Sequence, residues 1–184
     1  HTCPYCQLLN RSTYDHYIPE ARYPEFSVLV KNLIPCCSTC NSKKQEFWRE
    51  NGNRTILHFY NDLIPDIQFL FGMLTFNQNN VPEITFSLIQ SPGIQDNFFL
   101  IIEEHFRRLE LLKRYSNSID LVVSDIIDDV ESNRQEFGNI VTNQSIANII
   151  VNKSNRYKQQ YGINYWKSIA MDLLANSPEF INAR

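Results

Sequence analysis

Apolar residues recur with a helical period through the second half of the chain. Four stripes with this spacing follow one another, at residues 98–112, 119–130, 146–157 and 166–174. Within each stripe the apolar side chains return every three or four residues, as they do on one face of an α-helix. The breaks fall near Gly138 and Gly162, and Pro178 follows the last stripe. The pattern therefore predicts about four amphipathic helices.

The segment before these stripes has a different pattern. Residues 67–76 and 83–89 are rich in β-branched and aromatic side chains, and they flank a polar turn at 77–82. This arrangement predicts two strands joined as a hairpin. Closer to the N-terminus, residues 28–35 read as a short strand and residues 38 to about 49 as a helix, before a break at Asn51-Gly52-Asn53. The predicted fold class is α+β.

Composition excludes several classes of protein. The 184 residues are 43% hydrophobic and 20% charged, which is enough apolar side chain for a folded core. The longest uninterrupted apolar run, residues 98–102, is far shorter than the roughly 20 residues that a membrane span needs. We expect no membrane partner and, since no secretory leader precedes the first motif, a cytoplasmic location. The sequence opens at His1 rather than Met, so we expect the natural chain to begin earlier.

The charge is small and unevenly distributed. The whole chain carries a formal charge of −3, which excludes a histone-like or coat protein. Residues 1–60 contain seven basic and five acidic side chains, whereas the remainder is acidic. We expect a small module at 1–60 and, at 61–184, a hairpin and helical extension suited to binding a partner protein or forming a homo-oligomer.

All five cysteines lie in the first 40 residues. Cys3 and Cys6 form one C-x-x-C pair, and Cys37 and Cys40 form a second. Two such pairs can supply four thiolates to one tetrahedral zinc ion, and this interpretation is preferred over incidental buried cysteines. Cys36 would break the spacing to Cys40, so we interpret it as a small buried residue.

The residues between and after these pairs complete a longer motif. The run consists of Cys-Pro-Tyr-Cys at 3–6, Asp-His-Tyr-Ile-Pro at 15–19, Asn-Leu-Ile-Pro at 32–35 and Cys-x-x-Cys-Asn-x-x-Lys at 37–44. Over about residues 1–50 the chain resembles the HNH endonucleases, and more narrowly their ββα-metal subtype with a four-cysteine zinc site. Asn41 replaces the last His of the family's name.

The resemblance implies a role for each polar residue of the motif. His16 would be the general base that activates water, a task suited to an imidazole that titrates near neutrality. Asp15 and Asn41 would hold a catalytic magnesium or manganese ion through hard oxygen atoms. Asn32 would tie the hairpin together and help to fix the His16 ring. Lys44, together with Lys43, would reach a substrate phosphate.

We therefore expect a metal-dependent HNH endonuclease that cleaves DNA, with a structural zinc ion and a catalytic magnesium or manganese ion. The alternative is a zinc-knuckle module that binds nucleic acid or protein without cutting. HNH chains with helical extensions resemble nuclease subunits of bacterial anti-phage systems, which are often paired with an ATPase; restriction enzymes and mobile-element nucleases are competing settings. His58 and His105 are interpreted as structural, and the acidic residues at 125–131 as a solvated helix face.

Overall fold

The computed structural model describes residues 1–138 and 141–183, without the side chain of Phe137. The chain divides into two compact units. Unit 1 comprises residues 1–65 and 92–111, and unit 2 comprises residues 66–91 and 112–184. The predicted α+β class is confirmed, because short antiparallel hairpins are combined with a helical C-terminal part. Among the described residues, no helix is both long and apolar enough to span a bilayer.

Unit 1 is built on a hairpin and a helix. Strands β1 (Thr13–His16) and β2 (Leu33–Cys36) pair antiparallel, so that His16 lies opposite Leu33. Helix α1 (Ser38–Lys44) follows β2 directly. The unit also contains a short hairpin of two strands with two residues each, β3 (Arg49–Glu50) and β4 (Asn53–Arg54). Helix α2 (Asp96–Arg108) completes it.

Two sequence predictions in unit 1 need correction. The strand predicted at 28–35 begins only at Leu33. The preceding turn, Val30–Asn32, is a 3₁₀ helix, because the side-chain amide of Asn32 forms hydrogen bonds with the backbone N–H and carbonyl of Ile18. The helix predicted to continue to about residue 49 ends at Lys44. Gln45 there has φ 51°, which leaves the right-handed helical region, and this bend brings Trp48 against the ring of Tyr17.

Unit 2 combines the second predicted hairpin with the remaining helices. Strands β5 (Leu70–Phe76) and β6 (Pro82–Leu88) pair along seven residues, which confirms the predicted hairpin. The helices are α3 (Leu111–Ser116), which begins one residue before the boundary, α4 (Ile119–Phe137), α5 (Asn143–Tyr161), α6 (Trp166–Ala175) and α7 (Pro178–Asn182). Helix α6 lies on β5 at Gly72, where an added Cβ would approach Leu173 Cδ1 to 2.9 Å.

Two helix boundaries differ from the predictions. The first apolar stripe is divided between α2 and α3, because Glu110 adopts φ 53° and interrupts the helix. Pro178 begins α7 instead of following the last helix, and Ser177 caps the new helix by accepting a hydrogen bond from Phe180 N. The acidic face of α4 is partly paired: Asp125 contacts Lys167 and Asp129 contacts Lys153.

Candidate active site and metal centre

Four cysteine sulfurs meet in unit 1. The Sγ atoms of Cys3, Cys6, Cys37 and Cys40 all lie within 4.8 Å of one another, and all four residues are buried. The first pair lies in a tight turn in which Gln7, at φ 53°, donates its N–H to the Cys3 carbonyl. The second pair begins α1, where Cys37 Sγ accepts a hydrogen bond from Cys40 N.

The spacing of these sulfurs is compatible with a zinc ion. Cys6 Sγ and Cys37 Sγ are 3.9 Å apart. A tetrahedral zinc with bonds of about 2.3 Å would hold its sulfurs about 3.8 Å apart. Without a cation, hydrogen bonds among the crowded thiols shift their pKa values in opposite directions. The hydrogen bond with Cys3 lowers the pKa of Cys6, whereas a second hydrogen bond with Cys3 raises the pKa of Cys40, so the thiols do not all ionise together. A divalent cation would stabilise all four thiolates together.

Cys36 stands apart from this cluster. It is fully buried on β2 and is not among the four clustered sulfurs. Burial raises the pKa of its thiol to about 12, and the nearby carboxylate of Asp15 adds to the effect. Cys36 is therefore an inert, neutral thiol in the core of unit 1.

His16 ends strand β1 and remains partly exposed. Its Nε2 lies 3.0 Å from the carbonyl oxygen of Ser27 and 3.5 Å from a carboxylate oxygen of Glu20. Because a carbonyl oxygen can only accept, Nε2 carries the ring proton of the neutral imidazole. The lone pair is then on Nδ1, which is the atom able to take a proton from water.

Asn32 holds the loop that contacts His16. Its Nδ2 donates to the carbonyls of Ile18 and Phe26, and its Oδ1 accepts from Ile18 N at 2.7 Å. Ile18 lies two residues after His16, and Phe26 precedes the Ser27 whose carbonyl contacts the imidazole. The buried amide thus connects the segment that follows His16 with the loop that contacts its ring; the positioning role of Asn32 stays a prediction.

Asp15 is closed off from solvent. Its carboxylate is 2% exposed and accepts from Tyr5 Oη at 2.7 Å through one oxygen and from Lys44 Nζ at 3.0 Å through the other. Burial raises the pKa of the Tyr5 hydroxyl well above its usual value, so that Tyr5 keeps the proton it donates. In this arrangement Asp15 does not fit the role of an open ligand for a catalytic ion, whereas Asn41, on α1, is half-exposed.

Lys44 differs from its predicted role. Its side chain is fully buried, and Nζ donates to Asp15, to the His16 carbonyl and to the Gln45 carbonyl. Burial lowers the pKa of Lys44, while Asp15 opposes that effect. A lysine with its ammonium enclosed in this way has no donor directed at a substrate phosphate, so the structure disagrees with the predicted phosphate contact of Lys44.

The sequence comparisons agree with the geometry. Residues 3–47 match the family model of the HNH endonucleases. Residues 3–47 are an HNH endonuclease domain. Protein ea31 of Escherichia phage lambda is 27% identical to the chain over an alignment of length 192 that covers 97% of the chain. The chain spans 62% of the length of that relative. No solved structure gives a significant match.

The second predicted phosphate-binding lysine of the HNH domain is also paired. Lys43 Nζ lies 2.6 Å from a carboxylate oxygen of Glu110, and its side chain is 30% exposed. It could reach a phosphate only by exchanging this partner. The predicted roles of Lys43 and Asn41 stay predictions.

Several residues that support the HNH domain were not identified from the sequence. Tyr5 contacts Asp15 from ten residues away and Ser27 contacts His16 from eleven, so no local spacing indicates them. Glu20 lies four residues after His16, a spacing that could have indicated the contact. His105, interpreted as a core-edge histidine, is fully buried: its Nε2 lies 2.9 Å from the Tyr5 carbonyl, and its Nδ1 accepts from Leu57 N. Its hydrogen bond to Tyr5 holds the turn that carries Cys3 and Cys6. His58 is buried in a loop against the ring of Tyr17, with a ring separation of 4.4 Å.

Proposed function

We propose that this chain is a metal-dependent endonuclease that hydrolyses phosphodiester bonds in DNA, with His16 as the general base. The observation that supports the proposal most directly is the orientation of the His16 imidazole within an HNH domain. Nε2 is engaged by the Ser27 carbonyl, so the basic Nδ1 is available to a water molecule. An oriented base of this kind contributes about 10²- to 10⁴-fold to proton-transfer steps.

The surrounding residues support the same chemistry. As Nδ1 takes a proton from water, the ring becomes an imidazolium ion, whose Nε2 lies 3.5 Å from a carboxylate oxygen of Glu20. Asn32 fixes the loop that carries Ser27 and so limits rotation of the ring. The proton is later available to the oxygen that leaves the phosphorus atom.

Two metal sites belong to the proposal. Zinc bound by Cys3, Cys6, Cys37 and Cys40 would be structural, because four thiolates leave no open position. Magnesium or manganese would supply positive charge to the phosphoryl transition state, with Asn41 and Asp15 as its implied ligands. Asp15 could take part only after its bonds to Lys44 and Tyr5 rearrange.

A plasmid-nicking assay tests the proposal. The purified chain, loaded with zinc, is expected to nick supercoiled DNA with magnesium or manganese and to lose this activity with excess EDTA. His16→Ala should abolish nicking while zinc content and circular dichroism stay unchanged. Tyr14→Ala is a matched control on the same strand, because Tyr14 is 64% exposed. Full nicking by His16→Ala at neutral pH would contradict the proposed base.

The same assay distinguishes the proposed nuclease from the alternative, a module that only binds. A zinc-knuckle binding module would retain zinc and bind DNA but would nick nothing under any metal condition. The arrangement of His16, Ser27 and Asn32 speaks against that alternative, because a module that only binds has no need of an oriented base.

The biological setting is a separate part of the proposal. A relative encoded by a phage favours a mobile-element setting over an antiviral subunit paired with an ATPase. We further propose a cytoplasmic location and a protein partner or homo-oligomer, since the net charge of −3 limits unaided binding to DNA. Cleavage rates with and without proteins that co-purify from the native host test the need for a partner.

A further inference from the structure

The basic side chains of unit 1 are mostly neutralised by acids. Unit 1 contains nine Lys and Arg residues and ten Asp and Glu residues. Six of the nine form ion pairs within 4.0 Å: Arg22–Glu46, Lys43–Glu110, Lys44–Asp15, Arg54–Asp62, Arg107–Glu104 and Arg108–Glu50. Among the described residues, Arg11, Lys31 and Arg49 have no carboxylate partner. Neutralisation of phosphates can therefore supply only a small part of any affinity for DNA.

Two aromatic side chains with solvent-exposed surface lie on the segments that surround His16. Tyr23 is 39% exposed, and its ring centroid is 6.3 Å from that of the half-exposed Trp48, with the ring planes at 88°. We call these two residues the aromatic corner. A base that stacks on one of these rings would meet the other edge-on, which is a favourable arrangement for aromatic groups.

Contacts place the aromatic corner next to the candidate active site. Tyr23 belongs to the loop whose Ser27 carbonyl contacts His16, and the Trp48 ring lies 6.1 Å from that of Tyr17, which follows His16 directly. The Arg22–Glu46 ion pair joins the same two segments. The corner is therefore held by the same loop that orients the proposed base.

A cation adjoins the corner. The guanidinium carbon of Arg49 lies 5.6 Å from the centroid of the Trp48 ring. Its Nε donates to the Gly52 carbonyl, which leaves its other N–H groups available to a phosphate. The guanidinium thus lies over one face of the Trp48 ring. Aromatic rings combined with an arginine that has no carboxylate partner can bind an unstacked nucleotide: a base stacks on a ring face that the guanidinium does not cover, and the guanidinium pairs with the phosphate.

We propose that the aromatic corner and Arg49 bind an unpaired base next to the scissile phosphate, so that the preferred substrate is single-stranded or locally unpaired DNA. This inference rests on the proposed nuclease function and specifies the class of its substrate. Within a continuous duplex each base is stacked between its neighbours, so no base face is available to the rings of the aromatic corner. Base stacking on an aromatic side chain tolerates every base, so we expect little sequence preference.

Tryptophan fluorescence gives a direct measurement. The chain has two tryptophans, and Trp166 is 1% exposed, so a bound base can quench only Trp48 by stacking. A 20-nucleotide single strand is expected to quench the wild-type protein, whereas the matching duplex at the same concentration is not. Trp48→Phe should lose the quenching but keep much of the binding, as measured by anisotropy of a labelled strand.

Substitutions then test the contribution of each ring. Trp48→Leu and Tyr23→Ala should each weaken single-strand binding by roughly 5- to 150-fold. Tyr14→Ala removes another exposed tyrosine of unit 1 and should change nothing. Should Trp48→Leu fail to fold, Tyr23→Ala still decides the outcome, because Tyr23 is 39% exposed and lies outside the buried core.

Salt dependence gives a second readout. With three basic side chains free of carboxylates, the slope of log K against log salt should be no steeper than about −2 for a single strand, and Arg49→Gln should reduce it by about 0.7. A steeper slope, equal binding of single strand and duplex, or wild-type binding by both Trp48→Leu and Tyr23→Ala would overturn the inference.

The two proposals fail in different ways. Single-strand binding and Trp48 quenching without cleavage of any substrate would contradict the nuclease function but not the proposed binding of an unpaired base by the aromatic corner. Nicking that depends on His16 but is unaffected by Trp48→Leu and Tyr23→Ala would support the nuclease function and contradict the proposed binding of an unpaired base by the aromatic corner.

Discussion

At the scale of single residues, the buried pair of Lys44 and Asp15 is the feature with the clearest energetic consequence. An ammonium that is fully enclosed needs a counter-charge and further acceptors, and Lys44 has Asp15 and two backbone carbonyls. The adjacent Lys43 forms an exposed pair with Glu110. Of two neighbouring lysines on one helix, Lys44 is fully buried and Lys43 is 30% exposed, so Lys43 is a suitable control for Lys44.

We expect Lys44→Met to lower the free energy of unfolding by about 3–5 kcal/mol, because it removes the counter-charge of the buried Asp15 carboxylate and leaves it only the hydrogen bond from Tyr5. Lys43→Met should change it by less than about 1 kcal/mol, since exposed ion pairs contribute little. Urea unfolding in the presence of zinc measures both. The double variant Asp15→Asn, Lys44→Met should be less destabilised than the sum of its single changes. Equal effects of the two lysine substitutions would contradict the buried pair.

His105 predicts a pH dependence of stability. Burial lowers its pKa from the ordinary 6.5 to about 4, so the unfolded chain binds this proton more readily than the folded chain. Stability should therefore fall as pH decreases from about 6.5 to 4, by up to about 3 kcal/mol from this residue. His105→Gln should remove that part of the slope. Zinc content is measured for both proteins at each pH, because the hydrogen bond from His105 holds the turn that carries Cys3 and Cys6. Identical slopes over the pH range in which both proteins retain zinc would contradict the assignment.

At the scale of secondary-structure elements, the end of β2 and the start of α1 place two adjacent cysteines in different environments. Cys36 belongs to the strand and is buried as a neutral thiol, whereas Cys37 caps the helix and lies in the sulfur cluster. The change from strand to helix between them turns the second side chain toward Cys3 and Cys6.

We expect Cys37→Ser to lose zinc and to unfold unit 1, because a structural zinc contributes roughly 10 kcal/mol or more in small sites. Cys36→Ser should retain one zinc per chain, with a modest loss of stability. Native mass spectrometry gives the zinc content, and circular dichroism reports the fold. Loss of zinc from Cys36→Ser and retention by Cys37→Ser would show that the ligands are wrongly assigned.

At the scale of the whole molecule, the two compact units have different sources of stability. Unit 1 combines a small core with the four clustered cysteines, whereas unit 2 has an apolar core formed by β5, β6 and the later helices. Small modules commonly depend on a metal because their core alone buries too little surface. Metal removal should therefore affect the two units unequally.

We expect a zinc chelator to accelerate hydrogen exchange of amides in β1, β2 and α1 by several orders of magnitude, while amides of α5 and α6 keep their protection. Hydrogen exchange followed by mass spectrometry on the full chain separates the two sets of peptides. Addition of zinc should restore the slow exchange. Simultaneous loss of protection in α5 and α6 would contradict independent stability of the units.

The features predictable from sequence were those with short, regular spacing. The two C-x-x-C pairs identified the four clustered cysteines, because a zinc knuckle is formed by neighbouring residues. The hairpin at 70–88 and the later helices followed from periodicity, which depends only on which face of an element is apolar. The HNH motif likewise placed His16 and Asn32 in one loop and hairpin.

Features set by contacts distant in sequence required the tertiary structure. The early end of α1 at Lys44 depends on the packing of Trp48 against Tyr17, which local helix propensity does not contain. The resemblance implied that Lys44 reaches a substrate phosphate, but only the fold determined that Lys44 turns inward to Asp15. Tyr5, Ser27 and His105 became parts of the site because segments distant in sequence meet in the fold. Burial raises the pKa of Tyr5 and lowers the pKa of His105, and neither shift can be read from local sequence.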